Sequence, residues 1–235
     1  MKQIVIGLGE VGSALRKVLE CDGYDSVSPL SELGEGYDVM HIAFPYTPGR
    51  FAEMVKRYKE RTGASLVIVH STVPVGTCDP LHAVHSPIRG VHPNLEQGIR
   101  TFVKFFGGPE AQIAAGIFAE RGIKVMTTPL AASTEALKLW DTAQYGWNIL
   151  IEKAIHSYCE ERGLDYAMIY TLANATYNRG YELLGRYDVQ RPVLRHVEGP
   201  IGGHCVKENW EMLEDPIAVL SKDLHKRIIE TEKGV

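Results

Sequence analysis

At 235 residues, with 45% apolar and 23% charged side chains, the chain has the make-up of a globular protein of one large domain or two smaller ones. Its formal net charge of −4 and its lack of a basic stripe exclude a phosphate-gripping surface for nucleic acid. No apolar run reaches the ~20 residues of a membrane span, the start Ile4-Val5-Ile6 is too short for a signal peptide, and four scattered cysteines fit a reducing cytoplasm better than a disulfide framework.

Residues 3–7 are a short β-branched run ending in Gly7-Leu8-Gly9-Glu10-Val11-Gly12, after which Val11, Leu15, Val18 and Leu19 share a helical face. Strand, G-x-G-x-x-G and helix in that order predict a dinucleotide site over these six residues. Gly7 permits the tight turn, Gly9 admits a pyrophosphate, Gly12 lets helix pack on strand, and the helix N-terminus faces the phosphates. A second strand is expected over residues 24–28. It runs into Ser28-Pro29-Leu30 with neither an acid nor an arginine, which leaves NAD against NADP open, with Glu32 as a substitute for the usual acid. The short link onward predicts a reduced or missing helix.

Residues 39–44 form a buried strand ended by Pro45-Tyr46-Thr47-Pro48, and a helix follows over 50–62 with Phe51, Met54, Val55 and Tyr58 on one face. Residues 66–70 form the next strand, ended by Ser71-Thr72-Val73-Pro74-Val75-Gly76-Thr77. Strands alternating with helices predict a parallel sheet whose ligand lies at the strands' carboxyl ends. Gly12, Pro45 and Thr72 fall at that edge, with Thr47 and Ser71 beside them. His82, His85 and His92 lie in a loop–strand–loop stretch without ordered ligand spacing, and no cysteine or acid completes a set, so no metal site is expected. A strand over 103–108, a helix over 109–121 and a strand over 124–128 complete this half.

Ser133-Thr134-Glu135 reads as a helix start, a cap followed by an acid in the first turn. Leu137, Trp140, Trp147, Ile151, Ala154, Ile155 and Tyr158 then mark one apolar stripe to about residue 162, with Gly163 as C-cap, serving core packing or a dimer contact. Lys138 and Thr142 share a different face. Further helices are expected over 165–184 and 216–230. Between them, Gly199-Pro200-Ile201-Gly202-Gly203-His204-Cys205-Val206-Lys207-Glu208-Asn209 reads as a loop that lets backbone approach a ligand and gives a thiol a fixed position. The whole predicts an α/β protein: a Rossmann-type doubly wound, mostly parallel sheet over 1–130, then a smaller all-helical domain over 131–235.

These motifs together resemble the nucleotide-sugar 6-dehydrogenases, the UDP-glucose and GDP-mannose dehydrogenase family. The glycine turn, Pro45, Thr47 and Pro48, the string from Ser71 to Thr77, Ser86-Pro87 with Arg89, Glu135 with Lys138, and Gly202-Gly203-His204-Cys205 carry the resemblance in order across most of the chain. It implies NAD as cofactor with NADP left open, a small-molecule substrate of the sugar-derivative kind, and a homodimer through the helical domain. It also implies two successive hydride transfers to NAD. An alcohol becomes an aldehyde, Cys205 captures it as a thiohemiacetal, and the second oxidation leaves a thioester for water to cleave. A thiolate beside a cation is a strong nucleophile, Lys138 would stabilise the developing oxyanion, and Thr72 would hold water.

The sequence departs from the family at three polar places. Thr142 stands where an asparagine follows the lysine by one helical turn, and Asn209 where an aspartate follows the cysteine by four residues. His92 or Glu96 is the nearest substitute for the glutamate after Ser86-Pro87. The chain also stops soon after the cysteine, which implies a form without the family's nucleotide-holding third domain. Two further functions stand beside the covalent oxidation: a β-hydroxyacid or prephenate-type dehydrogenase, which needs no cysteine, and a non-catalytic NAD(P)-binding protein.

Overall fold

The computed structural model of the chain describes every residue except 26, 91–92, 202–203 and 233–235, and of 204–205 and 228–232 the backbone alone. The chain divides into two compact units, Met1–Lys138 and Leu139–Val235, against a break expected after residue 130.

In the first unit β1 (Gln3–Ile6), β2 (Asp22–Tyr24), β3 (Val39–Ile42), β4 (Leu66–Val69), β5 (Val84–His85), β6 (Lys104–Gly107) and β7 (Val125–Thr128) form one sheet in the order β2-β1-β3-β4-β5-β6-β7. Every pairing is parallel except β5 with β6. The helices of this unit are α1 (Glu10–Leu19), α2 (Phe51–Thr62), α3 (Leu95–Thr101) and α4 (Ala111–Ala119). β1, β3 and β4 are buried at every position because alternate side chains feed two separate cores. Ile4, Ile6, Met40, Ile42, Val67 and Val69 pack with Phe51, Val55 and Tyr58 of α2. Val5, Val39, Leu66 and Ile68 pack with Leu15 and Val18 of α1 and with Phe118 of α4. Burying a side chain such as Phe118 completely stabilises the fold by about 1.5–3 kcal/mol. Strand order reverses between β1 and β3, the switch point where open α/β sheets take ligands.

Two differences from the sequence reading bear on the site. β2 lies earlier than residues 24–28 and ends at Tyr24, whose carbonyl accepts the Gly7 N–H at 2.9 Å. Beyond it Asp25 turns the chain, its Oδ1 accepting the Val27 N–H at 3.2 Å, and Asp25, Val27 and Ser28 lie outside the strand. Among the described residues, the link to β3 holds a single 3-10 turn, Leu30–Glu32. The second difference is α3, unforeseen, which fits because Gly98 lets the helix close on Gly90: a Cβ there would sit 2.9 Å from the Gly90 Cα.

α5 (Ala131–Arg162) begins in the first unit and runs through the second, which also holds a π-helical segment Ala167–Leu172, α6 (Ala173–Leu183), α7 (His204–Met212) and α8 (Pro216–Glu232). Its core joins Leu139, Ala143 and Leu150 of α5 to Val206 and Trp210 of α7 and Ala218 of α8. Gly146 makes room for this, since a Cβ there would sit 2.6 Å from the Trp210 ring. The expected apolar stripe is thus not the core face: Trp140, Ile151 and Tyr158 are 41%, 50% and 51% exposed. α5 is apolar on more than one face, and periodicity alone does not choose between them. The glycine-framed loop is also corrected, because the chain is already helical at His204 and Cys205 lies in the first turn of α7. Packing of Val206 and Trp210 on α5 overrides the local preference of a glycine-rich stretch. Among the described residues, no helix is long and apolar enough to cross a membrane.

Candidate functional site

β1 delivers the chain into the glycine turn, and each glycine has its own reason. Gly7 has φ +94°, and a Cβ on it would sit 2.8 Å from the Phe44 nitrogen. A Cβ on Gly12 would sit 1.7 Å from the Gly7 carbonyl oxygen, so α1 can dock on the turn only without a side chain there. Above Gly9 the opposite holds: a Cβ would meet nothing within 4 Å. Gly9 is also the N-cap of α1, and no side chain caps the helix, so its positive end is left for an anion. Open space over an uncapped helix start fits a pyrophosphate. Leu8, Glu10 and Val11 complete the turn, with Glu10 exposed. Beside it, at the end of β2, stands the exposed carboxylate of Asp25.

The neighbouring strand ends are cross-tied. After β3, Pro45 and Thr47 are exposed, and the Thr47 carbonyl accepts the Arg50 and Phe51 N–H groups that start α2. After β4, the Ser71 hydroxyl donates to the Phe44 carbonyl at 2.6 Å, so this side chain is spent on joining two turns. Thr72 is half-buried, and its hydroxyl makes no hydrogen bond among the described residues.

The first turns of α5 hold the same edge. Glu135 is fully buried and accepts the Gly76 N–H at 2.6 Å and the Cys78 N–H at 2.8 Å. Burial, and after it the Glu135 carboxylate, drives the Cys78 thiol far above its ordinary pKa, so it is an inert thiol. His85 donates from Nε2 to the Ser71 carbonyl at 3.2 Å, which leaves Nδ1 to accept from the Thr134 hydroxyl 3.0 Å away. Burial holds the pKa of His85 down to about 3, and the imidazole stays neutral. Lys138 Nζ donates to the Ile88 carbonyl at 3.0 Å, just past β5. The expected helix start is thereby corrected. α5 begins at Ala131, so Thr134 and Glu135 sit inside it; Thr134 meets His85 as well as the Ala131 carbonyl of its own helix, and Glu135 bonds to the amides past β4.

The glycine turn, Pro45, Thr47, Ser71, Thr72 and Lys138 belong to the first unit, whereas Thr142 and Asn209 lie buried in the second. The Asn209 Nδ2 has no hydrogen-bond partner among the described residues. The backbone of Cys205 is described but its side chain is not, and His92 lies outside the described residues. Glu96 pairs with Arg100 at 3.3 Å and lines an open groove of about 510 Å³ between α3 and α1, where Glu10, Ser13 and Lys17 form the other wall. Among the described residues, no group of three histidines, cysteines or acids is placed to hold a metal.

No protein-family model matches the sequence, and no curated protein matches it. Solved structures do match. The UDP-D-ManNAc dehydrogenase from Pyrococcus horikoshii superposes with a TM-score of 0.80 at 16% identity, covering 97% of this chain and 69% of that one. The 3-hydroxyisobutyrate dehydrogenase of Mycobacterium tuberculosis, with L-serine, gives 0.70 at 14% identity and covers 100% of this chain and 99% of that one. Psf3 in complex with NADP+ and 2-OPP gives 0.56 at 14% identity, with 99% of each chain covered. The shared property is the fold. It is a Rossmann-type, mostly parallel sheet with a helical C-terminal part, similar to the hydroxyacid dehydrogenases.

Within that fold, sequence reasoning missed Asp25, and it named Glu135 and His85 without their parts in holding the edge. Asp25 had a signal: it lies about twenty residues beyond the first glycine, the usual distance to the ribose-binding acid. Glu135 was singled out only with Lys138 in the family resemblance and His85 only as a rejected metal ligand, because the partners that give them their roles are far away in sequence.

Proposed function

We propose that the chain is an NAD-dependent oxidoreductase that oxidises a CH–OH group of a small molecule, of the sugar-derivative kind. The observation that carries the reading is the glycine turn, with the space over Gly9 open while a side chain at Gly7 or Gly12 would collide with backbone. NAD, when bound, accepts a hydride. Asp25 supports NAD over NADP, because a carboxylate at the end of β2 accepts from ribose hydroxyls and repels a 2′-phosphate. Pro45 and Thr47 would bound the cofactor beside the glycine turn, and the hydroxyl of Thr72 would hold water or substrate. The Lys138 ammonium would stabilise oxyanion charge as the alcohol is oxidised.

Cys205 is the nucleophile in the covalent form of this reading. Its backbone lies in the first turn of α7. Thr142 and Asn209 would orient polar groups near it, and the buried amide of Asn209, without a partner among the described residues, supports that use. His92 would stand in for the family's loop glutamate. A homodimer through the helical unit is supported by α6, which buries no residue, and by exposed Met168, Ile169 and Leu172 just before it. Free Cys21, Cys78 and Cys159 support a cytoplasmic setting.

A second reading, a 3-hydroxyacid dehydrogenase without covalent catalysis, is favoured by the likeness to 3-hydroxyisobutyrate dehydrogenase, which extends over 100% of this chain at a TM-score of 0.70. One experiment addresses both. NADH is titrated by its fluorescence into the wild type and Gly12→Ala, and turnover is assayed on nucleotide sugars, sugar alcohols and 3-hydroxy acids with wild type and Cys205→Ser. The first reading expects NADH binding that Gly12→Ala abolishes and turnover that Cys205→Ser abolishes. The second expects 3-hydroxy acid turnover that survives Cys205→Ser. A wild type that binds neither NADH nor NADPH refutes both.

A further inference from the structure

We infer that Glu135 is a positioning residue: its carboxylate sets the shape of the turn 71–78, which receives the nicotinamide end of the cofactor. The inference rests on the oxidoreductase reading above.

Three features single Glu135 out. It is fully buried, yet among the described residues it forms no ion pair; it meets the amides of Gly76 and Cys78 and the Cys78 thiol. A buried ionised carboxylate is destabilising unless hydrogen bonds replace its water, and here amide donors do so at 2.6 and 2.8 Å. The two amides use different oxygens, the Gly76 N–H donating to Oε2 and the Cys78 N–H to Oε1. Glutamine has one acceptor oxygen and would set its NH2 group against an N–H.

The turn it holds is also fixed elsewhere. Ser71 is anchored through its hydroxyl to the Phe44 carbonyl and through its own carbonyl to His85. Gly76 has φ +88°, and the Thr77 hydroxyl closes the turn by donating to the Pro74 carbonyl at 2.6 Å. Between these anchors the Thr72 hydroxyl makes no hydrogen bond among the described residues and Val75 is 52% exposed. A free hydroxyl and an apolar side chain on a rigidly held turn at the sheet's carboxyl edge suit a flat polar ring. The Glu135 clamp fixes the side of that turn remote from Ser71, and a loosened turn would lose the ring while leaving the glycine turn intact.

The test compares two ligands on the full chain. NADH carries the nicotinamide and ADP-ribose lacks it, and both reach the glycine turn. Dissociation constants are measured for wild type and Glu135→Gln, with melting temperature recorded for each. The wild type is expected to bind NADH more tightly than ADP-ribose. In Glu135→Gln, NADH binding is expected to weaken roughly tenfold, with ADP-ribose affinity kept within about twofold. Equal weakening of both ligands, or a lower melting temperature with both affinities unchanged, overturns the inference, since a clamp of purely structural use gives one of those results. If the wild type binds neither ligand, the cofactor reading itself has failed. Glu135→Asp, which keeps the charge but is shorter by one methylene, is the second variant should the glutamine protein not fold, and the same split between ligands is expected of it.

Discussion

Acidification should unfold the first unit well before carboxylate chemistry alone would. His41 and His85 are both buried, and burial, the largest cause, holds each pKa down to about 3. Lys104 adds to the effect on His41, and Ser71, as an acceptor, opposes part of it on His85. In the unfolded chain both titrate near their ordinary value of about 6.5. Between pH 6.5 and pH 3 the unfolded state therefore binds more protons than the folded state, and stability falls as the pH falls. At pH 5, about 1.5 pH units below the unfolded value, each histidine costs about 2 kcal/mol at about 1.36 kcal/mol per pH unit, and the two together about 4 kcal/mol. His70 acts in the same direction: it is buried, 3.3 Å from the Lys104 amine and 3.0 Å from the His41 ring. Against a typical domain stability of about 5–15 kcal/mol this is a large share. Urea unfolding followed by far-UV circular dichroism at pH 7, 6 and 5 measures it. Trp140, Trp147 and Trp210 all lie in the second unit, so their fluorescence reports that unit separately. An unfolding free energy of the first unit that is flat between pH 7 and pH 5 would refute the reasoning.

Asp25→Ala should raise NADPH affinity relative to NADH by about tenfold, because it removes the charge that repels a 2′-phosphate; competitive titration of the two reads the ratio, and an unchanged ratio removes Asp25 from the ribose site. Met168→Asp with Leu172→Asp should turn a dimer into a monomer in sedimentation velocity, since both side chains are more than half exposed beside a helix that buries nothing. A wild type that sediments as a monomer would refute that assignment.

The sheet was legible wherever composition and burial coincide. Residues 3–6, 39–42 and 66–69 are apolar or β-branched apart from Gln3 and His41, because both faces of the sheet are covered. Legibility failed where a partner, not composition, decides. β2 is an edge strand whose end is fixed by Tyr24 accepting from Gly7, so an apolar-run reading displaced it and passed over Asp25. The orientation of α5 was hidden because Trp140, Ile151 and Tyr158 are as apolar as Leu139, Ala143 and Leu150, and the choice is made by Val206 and Trp210 some sixty residues on. The glycine turn was fully legible, since its demands are local: positive φ at Gly7 and no room for a Cβ at Gly12.

The pair Glu135 and Lys138 illustrates how a short spacing acquires its meaning from distant backbone. Three residues apart on a helix, they share a face. That face bears on the carboxyl ends of β4 and β5, and there the backbone presents opposite groups to the two side chains. Past β4 the turn offers N–H donors at Gly76 and Cys78, which only an acceptor can satisfy. Past β5 the chain offers the Ile88 carbonyl, which only a donor can satisfy. Acid first and base three residues later is therefore the order these loops demand, and reversing it would set an ammonium against amides and a carboxylate against a carbonyl. Read locally, the same residues look like a cap followed by a solvated lysine. Capping would satisfy one amide of α5 itself, worth about 1 kcal/mol. Here the side chains instead join the helix that leads into the second unit to the loops at the sheet's carboxyl edge, with Thr134 and His85 forming a third tie between them.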